Sequence, residues 1–146
     1  MIVYLDSSVL ARAYLHDEAG HDEAVALLNN EEIGLITGTW TRIEVSGALI
    51  RVAKAGRGDV KGLLQLLDAD LAMDGLVTVV AAEQAQIEEH SLAMVRKHGI
   101  RAMDAWHLAV AAITLPDLAE PREDVGFATR DAAQATVAKT LGLALV

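Results

Sequence analysis

Along this chain the apolar positions alternate between two rhythms. Short runs of neighbouring apolar residues, "IVYL" (2–5), "GLIT" (34–37), "LVTVVAA" (76–82), "VGFAT" (125–129) and "LALV" (143–146), predict strands, the first of them buried. Between them, apolar residues recur at spacings of three and four. "SVLARAYL" and "HDEAVALLNN", separated by Gly20, read as helices, as do "DVKGLLQLLDADLAM" and "DAAQATVAKTLG". From Thr41 to Lys54, Val45, Ala48, Leu49 and Val52 form one helical stripe that stops at "AGRG", with Gly56 and Gly58 as terminators. "EQAQIEEHSLAMVRKHG" is a polar-faced helix ending in Lys97 and His98 before Gly99. "AMDAWHLAVAAITL" is helical and apolar nearly all round, and Pro116 is expected to close it. "PDLAEPRED", with both prolines and a cluster of charges, reads as a solvated loop. Strands alternating with helices predict an α/β fold: one domain over residues 1–146, with a mostly parallel sheet of about four to five strands and helices on both faces.

Composition narrows the class. The chain has 146 residues, 53% hydrophobic and only 3% aromatic, so Ala, Val, Leu and Ile must build the core. No apolar run reaches the roughly 18 residues of a membrane helix, the opening lacks the basic region of a signal peptide, and there is no cysteine. Disulfides and thiolate zinc sites are thereby excluded, and a cytoplasmic protein is expected. A net charge of −9 argues against nonspecific attraction to nucleic acid. It does so only if the acids are scattered, because carboxylates gathered round a divalent cation are neutralised by it.

Four acids stand at the ends of apolar elements, and each has an innocent explanation. Asp6 interrupts the first apolar run, where Ser7 or Ser8 can cap the helix that follows. Glu44 completes a Thr41-x-x-Glu44 capping box, and Asp131 opens an Asp131-x-x-Gln134 pattern of the same kind. Asp104 sits in a helix first turn, yet on one stripe with Leu108, Ala111 and Leu115, where an ionised group is costly without compensation. His107, one turn on, reads as a packed, hydrogen-bonded histidine. Together the acids say more than singly. In a parallel sheet the strand ends and adjoining helix starts share one edge, so all four can approach one pocket. Carboxylates at such quarters repel unless cations hold them ionised, and oxygen-only ligation points to Mg²⁺ or Mn²⁺. Sites of that kind carry out phosphoryl chemistry.

"YLDSSVL", "TRIEVSGALIR", "RAMDAWHLAVAA" and "FATRDAAQATVAKTLGL" resemble, in order, the four signature stretches of PIN-domain proteins, and most closely those of VapC-type toxins. The resemblance implies a metal-dependent endoribonuclease that leaves a 5′ phosphate and a 3′ hydroxyl. By position, Asp6 and Asp104 resemble the principal metal ligands, Glu44 the third acid and Asp131 the fourth. Ser7, Ser8 and Thr129 match hydroxyls that orient the acids, with Asp6-Ser7-Ser8 standing where relatives commonly carry Asp-Thr-Ser or Asp-Thr-Asn. The stretch from Gly56 to Gly99 matches no signature. The resemblance also implies a VapB-type antitoxin lying across the acidic pocket, an Arg or Lys of which such a pocket suits, and a homodimer. "SVLARAYL" and "TRIEVSGALIRVAKAG" are candidates for the antitoxin groove.

Basic residues are sparse. Arg51 lies two turns beyond Glu44, close to Lys54, Arg57 and Lys61, and is a candidate phosphate contact; Arg96, Lys97 and Arg101 read as a helix C-terminal bias. Two rivals fail on pattern: a haloacid dehalogenase-type phosphatase needs an acid where Ser8 stands, and a receiver domain needs paired early acids and a late lysine. The remaining alternative is a PIN-like interaction module without catalysis.

Overall fold

The computed structural model describes residues 1–56 and 59–146; the readings placed on Arg57 and Gly58 lie outside the described residues. Its elements in chain order are β1 (Ile2–Leu5), α1 (Ser7–Tyr14), α2 (His21–Leu28), β2 (Gly34–Gly38), α3 (Thr41–Lys54), α4 (Val60–Asp70), β3 (Thr78–Val80), α5 (Gln84–His98), α6 (Ala102–Leu118), β4 (Val125–Ala128), α7 (Ala132–Thr140) and β5 (Ala144–Leu145). The five strands form one parallel sheet in the order β3-β2-β1-β4-β5. Among the described residues no helix is long and apolar enough to cross a membrane.

Successive strand residues face opposite sides of the sheet, and each side builds its own core. Val3, Leu5, Leu35 and Ala128 pack with Leu10, Val45, Leu49 and Leu67, from α1, α3 and α4. Tyr4, Ile36 and Phe127 pack with Ile87, Leu108 and Val137, from α5, α6 and α7. This is why "IVYL" carries no alternation: in the central strand of a sheet covered on both faces consecutive residues are inside, here fully from Val3 to Leu5 and partly at Ile2. Tyr4 and Phe127, partners in register, stack with parallel rings 5.4 Å apart, which spends two of the few aromatic residues at the centre.

Several local expectations change. Helix α6 does not close at Pro116 but runs two residues further. The proline falls in the last turn, where it forfeits one backbone hydrogen bond, and the Ala119 N–H still reaches the Leu115 carbonyl. Strand β3 is three residues long rather than seven, because it pairs only with β2 and its register ends at Val80.

The connections set the stage for a site. From β1 the chain works outward through β2 to β3, then returns across the sheet to β4 on the other side of β1. Adjoining crossovers therefore leave β1 and β4 toward opposite sides, which opens a crevice at their carboxyl ends. Asp6 follows β1 and Asp131 follows β4 by three residues.

Candidate active site at the carboxyl edge of the sheet

Asp6 is 4% exposed. Its backbone N–H donates to the Ala128 carbonyl (3.0 Å), which extends the β1–β4 ladder by one rung and fixes where the side chain begins. Neither Ser7 nor Ser8 caps α1, contrary to expectation: Asp6 itself is the N-cap, its Oδ2 accepting from the Ser8 N–H at 3.0 Å. Its Oδ1 accepts from Gln134 Nε2 at 3.2 Å.

Gln134 is the residue that sequence reasoning undervalued. It is fully buried on α7 and makes four connections. Its Nε2 also donates to the Asp104 carbonyl at 3.2 Å, its Oε1 accepts a short bond from the Thr129 hydroxyl, and its N–H donates to Asp131 Oδ1 at 2.8 Å. The Asp131 cap thus forms, but Gln134 does not return to the cap backbone. The signal was an amide on the core stripe shared with Val137 and Ala138. Thr129 accepts from the Asp131 N–H at 3.0 Å, so it orders the turn rather than touching a carboxylate. Ser8 Oγ likewise accepts from the Arg130 N–H.

Glu44 departs furthest from its local pattern. The Thr41–Glu44 capping box does not form. The N-cap of α3 is Trp40, with no side-chain cap, and the Thr41 hydroxyl shares a 2.6 Å hydrogen bond with Thr37, which donates to the Leu5 carbonyl at 2.7 Å. Glu44 turns instead to His107 on α6, its Oε2 lying 2.5 Å from Nε2. His107 is 1% exposed, with its Nδ1 2.9 Å from the Tyr4 hydroxyl and Asp6 Oδ1 3.8 Å from Nε2. Tyr4 accepts from the Gly38 N–H at 3.0 Å. Burial above all, and the nearby charges of Asp6 and Glu44, push the Tyr4 phenol well above its usual range, so its hydroxyl keeps its proton.

Asp104, on the first turn of α6, is bound by a residue assigned on sequence to a different role. Arg101 is the N-cap of α6, not part of a basic end on α5. Its Nε donates to Asp104 Oδ2 at 2.8 Å, and its Nη2 donates to Asp131 Oδ2 at 3.0 Å. The Asp104 hydrogen bond, then the charges of Asp104 and Asp131, raise the guanidinium pKa further, so it is a permanent cation.

Asp6, Glu44, Asp104 and Asp131 line one open pocket of about 480 Å³ with Ser7, Ser8 and Arg101. Arg51 lies outside it, on an adjoining groove walled by Ser7, Ser8, Glu44 and Gly47. Four carboxylates drawn from positions 6 to 131 therefore open on one space. Their oxygen-only chemistry suits a hard divalent cation. In spacing, however, no three His, Asp or Glu side chains among the described residues stand close enough to share an ion, and Arg101 spans two of the acids.

A family model for the PIN domain matches residues 3–115, most of the chain. The chain belongs to the PIN domain family. PIN domains are nucleases that in general work with divalent metals. Among solved structures the chain is similar to VapBC-1 from nontypeable Haemophilus influenzae, at 18% identity and a TM-score of 0.58, covering 100% of this chain and 97% of that one. It is also similar to FitAcB from Neisseria gonorrhoeae, at 20% identity and a TM-score of 0.55, covering 99% and 96%. At such identities the likeness is one of fold. No curated protein sequence gives a significant match. As in the sequence reading, the PIN domain is α/β with a parallel sheet, here of five strands; α6, with Asp104 and His107, lies within or overlaps the matched segment, whereas Asp131 and Gln134 lie beyond it.

Proposed function

We propose that residues 1–146 form one PIN domain that hydrolyses RNA phosphodiester bonds as a divalent-metal-dependent endoribonuclease, the toxin of a toxin–antitoxin pair. One observation carries the reading. Glu44 forgoes a ready capping box to join Asp6, Asp104 and Asp131 around a single pocket at the sheet's switch point. Mg²⁺ or Mn²⁺ would be held by Asp6 and Asp104 with Glu44 and Asp131 completing the set, once Arg101 swings away. When bound, such an ion supplies an activated water and offsets charge on the phosphate. The chain's own part is to aim the acids: Gln134 fixes Asp6, the α7 N-terminus fixes Asp131, and His107 fixes Glu44. Ser7 and Ser8 border the pocket as polar contacts for the strand, and Arg51 on the adjoining groove would meet a phosphate beside the break.

The likeness to VapBC-1 and FitAcB supports an antitoxin partner. An apolar pocket of about 540 Å³ bounded by Tyr14, Leu15, Val52, Leu63 and Leu66, between α1, α3 and α4, would receive its apolar residues. A homodimer working in the cytoplasm fits the same reading.

The test is cleavage of labelled RNA by purified protein, with Mg²⁺ or Mn²⁺ and then with EDTA. Cutting that EDTA abolishes and fresh metal restores is expected; cutting indifferent to EDTA would refute the metal dependence. The Arg101 bridge, which satisfies two acids without a metal, favours one competing reading: a PIN-like binding module without catalysis. A folded protein that binds no Mn²⁺ and leaves RNA intact would establish it.

A further inference from the structure

Hydrogen-bond chemistry dictates a direction for the chain of contacts behind Glu44. A carboxylate only accepts, so His107 Nε2, 2.5 Å from Glu44 Oε2, must carry a proton. At the other end, the Gly38 N–H can only donate, so the Tyr4 oxygen accepts it. The single hydrogen of the phenol can then point at His107 Nδ1, 2.9 Å away, which accepts it when it is the bare nitrogen of a neutral ring. We propose that Gly38, Tyr4 and His107 form a one-way buried relay that locks the imidazole as its Nε2–H tautomer and so turns the Glu44 carboxylate into the pocket. Tyr4 and His107 are positioning residues: neither lines the pocket, and both act through Glu44.

Packing leaves the relay no slack. Tyr4 and His107 are 0% and 1% exposed, so no water competes for either ring nitrogen. Trp106 stands edge-on to the imidazole at 5.2 Å. Gly38 is required for the first link, because a Cβ there would lie 2.7 Å from the Tyr4 oxygen and 2.7 Å from the Trp106 ring. The relay crosses the sheet edge, from β1 and β2 through α6 to α3, and ties to one another elements that pack on opposite faces. The other tautomer would set a bare Nε2 against carboxylate lone pairs. An imidazolium would donate from Nδ1 to the Tyr4 oxygen and send the phenol hydrogen elsewhere.

This inference rests on the reading that Glu44 works in the reaction, but its first test does not involve activity. The ring nitrogens of His107 are observed by ¹⁵N NMR in folded, metal-free protein at neutral pH, and assigned by their loss in His107→Gln. The Nε2–H pattern is expected; the Nδ1–H tautomer or a doubly protonated ring would overturn the relay. Tyr4→Phe should release the preference and populate both tautomers, and an unchanged pattern would count equally against it. The second test is kinetic. Gln places its amide nitrogen near the position of Nε2 and can still donate to Glu44, whereas Asn reaches only as far as Nδ1. His107→Asn should lower kcat for RNA cleavage by about 10²-fold with KM little changed, as misplacement of a catalytic group does, while His107→Gln recovers most of it. Equal losses in both variants would make His107 a packing residue only. If the wild type cuts no RNA, the nuclease reading fails while the tautomer still decides the relay.

Discussion

Among the described residues four helices begin on an acid that caps them, and they divide into two regions with different fates. Asp59 and Glu83 open α4 and α5. Asp59 accepts from the Lys61 N–H at 3.1 Å, and Glu83 from the Ala85 and Gln86 N–H groups at 3.2 and 2.9 Å. Asp6 and Asp131 open α1 and α7 with the same local chemistry, at 3.0 and 2.8 Å. The difference is what meets the second oxygen. In Asp6 it meets Gln134 and in Asp131 it meets Arg101. Asp59 and Glu83 are exposed, and neither lines the acidic pocket. Glu83 even follows a strand, but β3 lies two places from β1, roughly 10 Å at the usual strand spacing. A capping acid thus comes to line the acidic pocket by standing at the switch point, not by any feature of its own helix.

The sharpest way to break this comparison is to separate cap from charge. Asp6→Asn keeps an N-cap acceptor and removes the carboxylate. RNA cleavage should fall by on the order of 10³-fold, as several kcal/mol of charge stabilisation is lost, while the protein stays folded with a thermal midpoint lowered modestly by the amide set against Gln134 Nε2. Asp104→Asn should behave alike; a folded variant of either that cuts RNA at the wild-type rate would remove that acid from the site. Next in size is Gly38→Ala, whose methyl collides with Tyr4 and Trp106. It should cost about 1–3 kcal/mol in urea unfolding, as overpacking does, and slow cleavage as well. Glu83→Ala supplies the opposite case: about 1 kcal/mol of stability lost with the cap and cleavage unchanged. The smallest effect is expected from Arg101→Ala. Without that cation, the metal-free protein should melt slightly below wild type at low salt, and added Mn²⁺ should close the gap. A gap that Mn²⁺ leaves untouched would show that Arg101 and metal do not occupy common ground.

Much of this was legible in the residues. The apolar runs of β1, β2 and β4 mark strands buried on both faces, those of β3 and β5 became more exposed edge strands, and the helix stripes fall where α3 and α6 lie. The three residues whose roles depend on partners distant in sequence, Glu44, Arg101 and Gln134, were the least legible. Thr41-x-x-Glu44 is a sound capping box by local rules, and nothing within α3 reveals that Thr41 is engaged by Thr37 and that His107 lies 63 residues away. Arg101 looked like the tail of α5 because Gly99, in a left-handed conformation, ends that helix only two residues before it. Gln134 looked like a cap partner, when its amide is the hub that binds Asp6 to the α6 backbone.

What the sequence determined by itself is therefore local and periodic: which segments are strands or helices, where acids interrupt them, and that no thiol chemistry is available. Those follow from spacing, capping and composition, which act over a few residues. Only the tertiary structure decided which acids share a pocket, which cation bridges two of them, and which imidazole faces Glu44. The physical reason is that each such group has a local partner and a distant one of comparable strength. The choice between them is made by the strand order, which brings residues 6, 44, 104 and 131 to one edge and leaves 59 and 83 away from it.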